Sequence, residues 1–249
     1  MTKKYFLTFG GGEGPQIGNN SAINGGNKSS RTGYHNAVKR LTKQVEELKI
    51  FDYIYPKTEL DLKNDENFWG KHGQYIINNH RIYGYGIWKP YLIMKTMKKM
   101  KYNDILLYAD AGCIIQNSHK EELERLFKVV DTDLIIASLT CIEQDWSKMD
   151  LIKHLRLENS KLLKINQRQS STIMFKKCKK TVDLVNEWYN ISCNYHMIDD
   201  TPSIIPNVDS FKEHRHDQSI FSLLTKKYNI FSRETINKGV YIARFRRGY

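Results

Sequence analysis

The stretch Ile105–Ala109 is five consecutive core-type residues that end on a single acid, Asp110, followed by the turn residues Ala111 and Gly112. A strand with one wet face alternates apolar and polar residues, whereas an unbroken apolar run of this length belongs to a strand buried on both faces. Similar runs recur at "KYFLTF", "DLIIASL" and "STIMFKK", with helical patterns between the strands except for a mixed stretch from "DLIIASL" to Asn166. Strands alternating with helices predict an α/β fold with a mostly parallel sheet, Rossmann-like, covered by helices on both faces.

The helices can be placed by periodicity. Tyr34, Ala37, Val38, Leu41, Val45 and Leu48 recur at helical spacing, with Ser30 available as a cap. "KPYLIMKTMKKM" has Pro90 where a first turn tolerates proline, and Leu92, Ile93, Met97 and Met100 on one side. Further helices are expected at "HKEELERLFKVV", "KTVDLVNEWYNI" and "HDQSIFSLLTKKY", and "IFDYIY" reads as a second strand ended by Pro56. Between Glu59 and Trp88 the helical pieces are expected to be interrupted by Gly70, Gly73, Gly84 and Gly86. The glycine- and asparagine-rich segment from Gly10 to Asn27 reads as a loop after the first strand; its glycine spacing does not fit a dinucleotide-binding turn. Polar Gln167 to Ser171 reads as a connection before a strand, able to line an acceptor site.

At 249 residues and 40% hydrophobic content the chain can bury a full core, read here as a single domain over residues 1–249. No run approaches the roughly 18 apolar residues that span a bilayer. Cys113, Cys141, Cys178 and Cys193 have neither metal-site spacing nor the density of a disulfide scaffold, which points to reduced thiols in a cytoplasmic setting, or a virus factory if the chain is viral. A formal charge of +12 raises nucleic acid as a partner. The lysines, however, are spread along the chain and alternate with core residues, as on solvated faces of helices and strands.

Three clusters carry chemistry. Asp110 sits at the carboxyl end of a buried strand, where open α/β sheets gather ligands; a carboxylate there can hold Mg²⁺ or Mn²⁺, or simply close a turn. "RIYGYGIWKP" lets backbone approach a ligand closely at its glycines, offers Trp88 for stacking, and sets Lys89 as a point charge for phosphate at a helix start. The alternative is a packed aromatic turn. "EHRHDQSI" concentrates His214, Arg215, His216, Asp217 and Gln218, more than a helix cap requires, although Asp217 can serve as one.

Taken in order, "FLTFGGG", Phe68 to His72, "GYGIWKPYLI", "DILLYADAGC" and "HRHDQSI" resemble small glycosyltransferase-like proteins of large DNA viruses and bacteria, over nearly the whole chain. The resemblance implies a glycosyltransferase A-type fold, with a nucleotide-sugar half over about residues 1–117 and an acceptor half over about 118–249. It implies a nucleotide-diphosphate sugar as donor, a glycan or other hydroxyl acceptor, and Mn²⁺ or Mg²⁺ on an Asp-x-Asp motif. Asp110 matches the first acid of that motif and Ala111 its middle position, while Gly112 departs from it, leaving His214, His216 or water to complete a metal shell. Asp217-Gln218 is similar to an Asp-Gln pair that contacts the donor sugar in retaining transferases, which assigns these two as catalytic. Lys89, Trp88, Tyr108, Asp110 and Gly112 are the expected donor-binding residues, with Arg244 or Arg246 helping to neutralise phosphate. Two readings stand against an enzyme of this kind: a basic nucleic-acid-binding protein, and a sugar- or nucleotide-binding module made inactive by Gly112.

Overall fold

The structure, a computed structural model, describes residues 2–12, 33–237 and 239–240. Ser30, Arg244, Arg246 and the glycine-rich loop beyond Gly12 lie outside them. Strand β1 (Lys4–Gly10) leads to α1 (Gly33–Leu48) and β2 (Tyr53–Thr58). Helices α2 (Glu59–Lys63), α3 (Glu66–Asn78), the single turn α4 (Ile82–Tyr85) and α5 (Trp88–Lys99) precede β3 (Ile105–Asp110). Then come α6 (Lys120–Asp133), β4 (Ile135–Ile142), α7 (Met149–His154), β5 (Asn166–Lys176), α8 (Lys179–Ser192) and α9 (Asp217–Lys227).

The strands form one sheet in the order β2-β1-β3-β5-β4. β1 pairs in parallel with β2 and β3, while β5 is antiparallel to both β3 and β4, so four of the five strands share a direction and β5 reverses it. Side chains alternate across the pleat. Phe6, Leu107, Ile136 and Met174 meet Leu41 and Val45 of α1 and Leu123 and Leu126 of α6. On the other face Leu7, Leu106, Tyr108, Ile173 and Phe175 meet α3, α5, α8 and α9. This double covering is what the unbroken apolar runs require, each fully buried Leu or Phe contributing roughly 1.5–3 kcal/mol.

Three expectations are corrected. β2 continues through Pro56 to Thr58, because it is an edge strand whose outer side needs no ladder hydrogen bond. α3 runs through Gly70 and Gly73 without a break: Asp65 caps it by accepting from the Phe68 amide, and Phe68, His72 and Ile76 anchor its inner face. Gln167 to Ser171 is not a loop but the first half of β5. Since β5 is reversed, that half lies at the edge where β1 and β3 end: Ala109 is opposite Thr172, and Phe9 is opposite Asp110.

Candidate active site

Asp110 stands on the same face of β3 as Leu106 and Tyr108, two-residue alternation having carried it past the last core position. Tyr108 is fully buried and donates its hydroxyl proton to Asp110 Oδ1, which satisfies a polar atom that would otherwise be stranded in the core. The Asp110 side chain is 38% exposed, so the same carboxylate also faces solvent.

Lys89 reaches it from α5. Its ammonium is buried, 3.3 Å from Asp110 Oδ1 and 3.1 Å from Asp217 Oδ2, and it donates to Ser170 Oγ at 3.3 Å. Burial alone would push this ammonium down; Asp110 and Asp217 reverse the effect and hold it above the ordinary lysine value. Asp217 is the first residue of α9 and is buried at 3% exposure, which raises its carboxyl above the usual range; Lys89 and the hydroxyl of Ser170, donating at 2.7 Å, work against that rise. With all three groups ionised, the Asp110–Lys89–Asp217 cluster carries one net negative charge.

Two strained segments aim these side chains. From Ile82 to Gly86 five successive residues have positive φ, from 49° to 82°. Tyr85 N–H donates to Arg81 O and Gly86 N–H to Ile82 O, so the segment is one turn of left-handed helix. Each non-glycine residue in such a turn costs about 1–2 kcal/mol. Gly86 makes the closure possible: a Cβ there would lie 2.7 Å from Asp217 Oδ1. His216, with φ 54° and ψ −127°, strains the entry to α9 directly before Asp217.

The remaining expected site residues are placed differently. Trp88 is buried, stacks on Phe9 at 4.0 Å between ring centroids and donates its indole N–H to Ile82 O, so it packs the left-handed turn and presents no free ring face for a base. Gly112 follows Asp110 in a partly exposed turn. The His214 ring is spent at both nitrogens: Nε2 bonds the Met197 carbonyl at 3.0 Å and Nδ1 accepts the Lys148 amide. His216 Nδ1 donates to Ile198 O at 2.9 Å, with Nε2 3.6 Å from Asp200 Oδ1. Burial holds both imidazoles down, His216 at about 3 and His214 well below its ordinary value. They are neutral rings that fasten the 197–198 segment to the start of α9.

A resident divalent cation does not fit this donor set. Among the described residues no three His, Cys, Asp or Glu side chains converge as ligands. Asp110 has no second acid at Gly112, its Oδ1 is already occupied by Lys89 and Tyr108, and the nearby ammonium would repel a further positive charge.

Sequence reasoning missed the support of Gln218. Its Nε2 donates to Gln167 Oε1 at 2.6 Å and its Oε1 accepts from Ser170 N–H at 3.4 Å. Gln167 is in turn bonded to Glu143, which pairs with Lys226 at 2.5 Å. The available signal was the spacing of Ser219, Ser222 and Lys226, polar residues among Ile220, Phe221, Leu223 and Leu224 of the same helix. A separate cleft of about 520 Å³ lies between β2, α3 and α5. Its lysines are engaged, Lys57 with Asp61, Lys95 with Asp65 and Lys99 over the Tyr55 ring.

No protein-family model and no curated protein matches the sequence. Among solved structures, the apo form of mouse xyloside xylosyltransferase 1 is similar with a TM-score of 0.45 and 10% identity, over 93% of this chain and 84% of that chain. A likeness at that level assigns neither family nor activity.

Proposed function

We propose that the protein is a glycosyltransferase of A-type architecture that moves a sugar from a nucleotide-diphosphate donor to a hydroxyl acceptor. The observation that carries this reading is that Lys89, Asp110 and Asp217, from three separate stretches of sequence, form one ion-paired cluster at the carboxyl edge of β1 and β3. They lie in three of the five stretches on which the resemblance to glycosyltransferase-like proteins rests.

In such a transfer the bond from the anomeric carbon to the diphosphate breaks, the diphosphate keeps the electron pair, and positive charge develops on the sugar; the acceptor oxygen bonds to that carbon and its proton passes to the departing diphosphate. With all three groups ionised, the cluster, buried at Lys89 and Asp217 and open to solvent at Asp110, carries one net negative charge that stabilises the positive charge as it forms. Asp217 is buried and paired with Lys89 and Ser170, which suits a group that acts on the sugar through the charge of the cluster. Gln218 lies next to it and completes the pair expected to face the reacting carbon with retention of configuration. Lys89 serves the cluster first, since both neighbouring carboxylates claim its charge. Neutralisation of the diphosphate then falls to other basic groups, for which Arg244 and Arg246 are the candidates.

The test is a thermal-shift screen of UDP-, GDP- and TDP-sugars, followed by assay of donor hydrolysis and transfer. One nucleotide class should raise the melting midpoint and be consumed, and Asp217→Asn should lower turnover by about 10²-fold or more. Absence of any shift, together with salt-sensitive binding of single-stranded nucleic acid, would replace this reading with the polyanion one.

A further inference from the structure

We infer that the buried pair Glu143–Lys226 acts through Gln167 to set which way the amide of Gln218 faces, making Glu143 and Gln167 positioning residues of the site. The inference rests on the transferase reading for its consequence, but its geometry stands independently.

Glu143 is fully buried, and its carboxylate can only accept while it pairs with the Lys226 ammonium. Ser147 donates to its Oε1 at 2.8 Å, and Ser222 donates to its Oε2. The end of Gln167 nearest Glu143 must therefore be the NH₂ group, which lies 2.9 Å from Oε1. Two further neighbours demand the same orientation. Ser219 has committed its proton to Trp146 O at 2.7 Å and Ser147 has committed its own to Glu143, so both can only accept from Gln167, each at 3.2 Å.

With its NH₂ group fixed, Gln167 turns its carbonyl oxygen to Gln218, which must answer with NH₂, at 2.6 Å. Gln218 is then left with its carbonyl facing Ser170 N–H, a backbone donor that cannot be inverted. The chain of dipoles is thus fixed at both ends, by an acceptor-only carboxylate and a donor-only amide. Flipping either glutamine sets like groups against each other at two contacts, which a buried network does not tolerate.

Ser170 also donates to Asp217 and accepts from Lys89. The negative end of the Gln218 amide is consequently turned toward the residue that holds the charged cluster, where an electron-poor anomeric carbon gains from it.

The experiment compares wild type with Gln167→Leu and with the double variant Glu143→Leu/Lys226→Met, which removes both charges so that neither is left buried alone. The Gln218 side-chain NH₂ resonance is followed by NMR, and kcat and KM by donor turnover. In the variants the Gln218 amide protons should exchange at least about tenfold faster while the backbone spectrum stays native. kcat should fall by up to about 10²-fold with little change in KM. Unchanged exchange, or faster exchange with unchanged kcat, overturns the positioning role. If the double variant does not fold, Gln167→Leu, which leaves the ion pair intact, decides alone. Faster exchange in the variants, with no turnover of any nucleotide sugar by wild type, would overturn the transferase reading and leave the relay standing.

Discussion

The ammonium of Lys89 lies 3.1 Å from Asp217 Oδ2 and 3.3 Å from Asp110 Oδ1, tying the start of α5 to the start of α9 and the end of β3. One buried cation shared between two carboxylates makes these elements interdependent, so the site's shape and its electrostatics cannot be altered separately.

Lys89→Met should destabilise the protein by about 3–5 kcal/mol, because Asp217 is left charged and unpaired in the core. The double variant Lys89→Met/Asp217→Asn should lose clearly less than the single one, since the stranded charge is gone. Denaturant unfolding of the two variants checks the order; a double variant as unstable as the sum of its parts would contradict it.

Gly86→Ala and Gly70→Ala should move stability in opposite directions. At Gly86 φ is +82° and a Cβ meets the Asp217 carboxylate, so strain and displacement of Asp217 combine. At Gly70, inside α3, a Cβ meets nothing within 4 Å, and alanine should add roughly 0.5–1 kcal/mol. Melting temperatures separate the two, and the Gly86 variant should also lose donor binding.

Mn²⁺ added alone should not bind in the micromolar range, and EDTA should leave the melting temperature unchanged. The described donor set offers Asp110 without a second acid, beside an ammonium. Titration followed by electron paramagnetic resonance reads this directly; stoichiometric tight binding would refute it.

Stability should fall as pH drops below about 6.5. Burial is the main cause holding His72 at about 4, His216 at about 3 and His214 well below its ordinary value, assisted by Lys71 beside His72 and by Lys148 beside the other two. In each case the unfolded chain takes up the proton first, so their contribution is complete above pH 6.5 and is lost as pH falls toward the folded values. Each adds a slope of up to about 1.4 kcal/mol per pH unit. Unfolding free energies from pH 7.5 down to 4.5 should show it, and His72→Gln should flatten the curve by one such increment.

Much of the fold could be read along the chain. "ILLYA" announced a strand covered on both faces, and the spacing of Ala37, Leu41, Val45 and Leu48 announced α1, because burial imposes a pattern on the order of apolar residues along the chain. Asp110 at a strand end and the run of polar residues in "HRHDQS" stood out as candidates for chemistry, and the structure brings Asp110 and Asp217 to the same ammonium, that of Lys89. The function of single residues was less legible. Trp88 and the two histidines have reactive or stacking chemistry in isolation, and only packing against Phe9, Met197 and Ile198 turned them into supports.

What sequence determined by itself was therefore the alternation of the principal strands and helices and the three chemically conspicuous stretches, since these follow from periodicity and residue type. Tertiary structure alone decided the rest. The reversal of β5 is a property of pairing, not of its residues, yet it carries Gln167 and Ser170 to the edge beside Asp110. The left-handed turn at Ile82–Gly86 and the strained His216 are held by long-range contacts that local preference opposes, and they bring Lys89 and Asp217 together across a gap that no spacing in the chain could have disclosed.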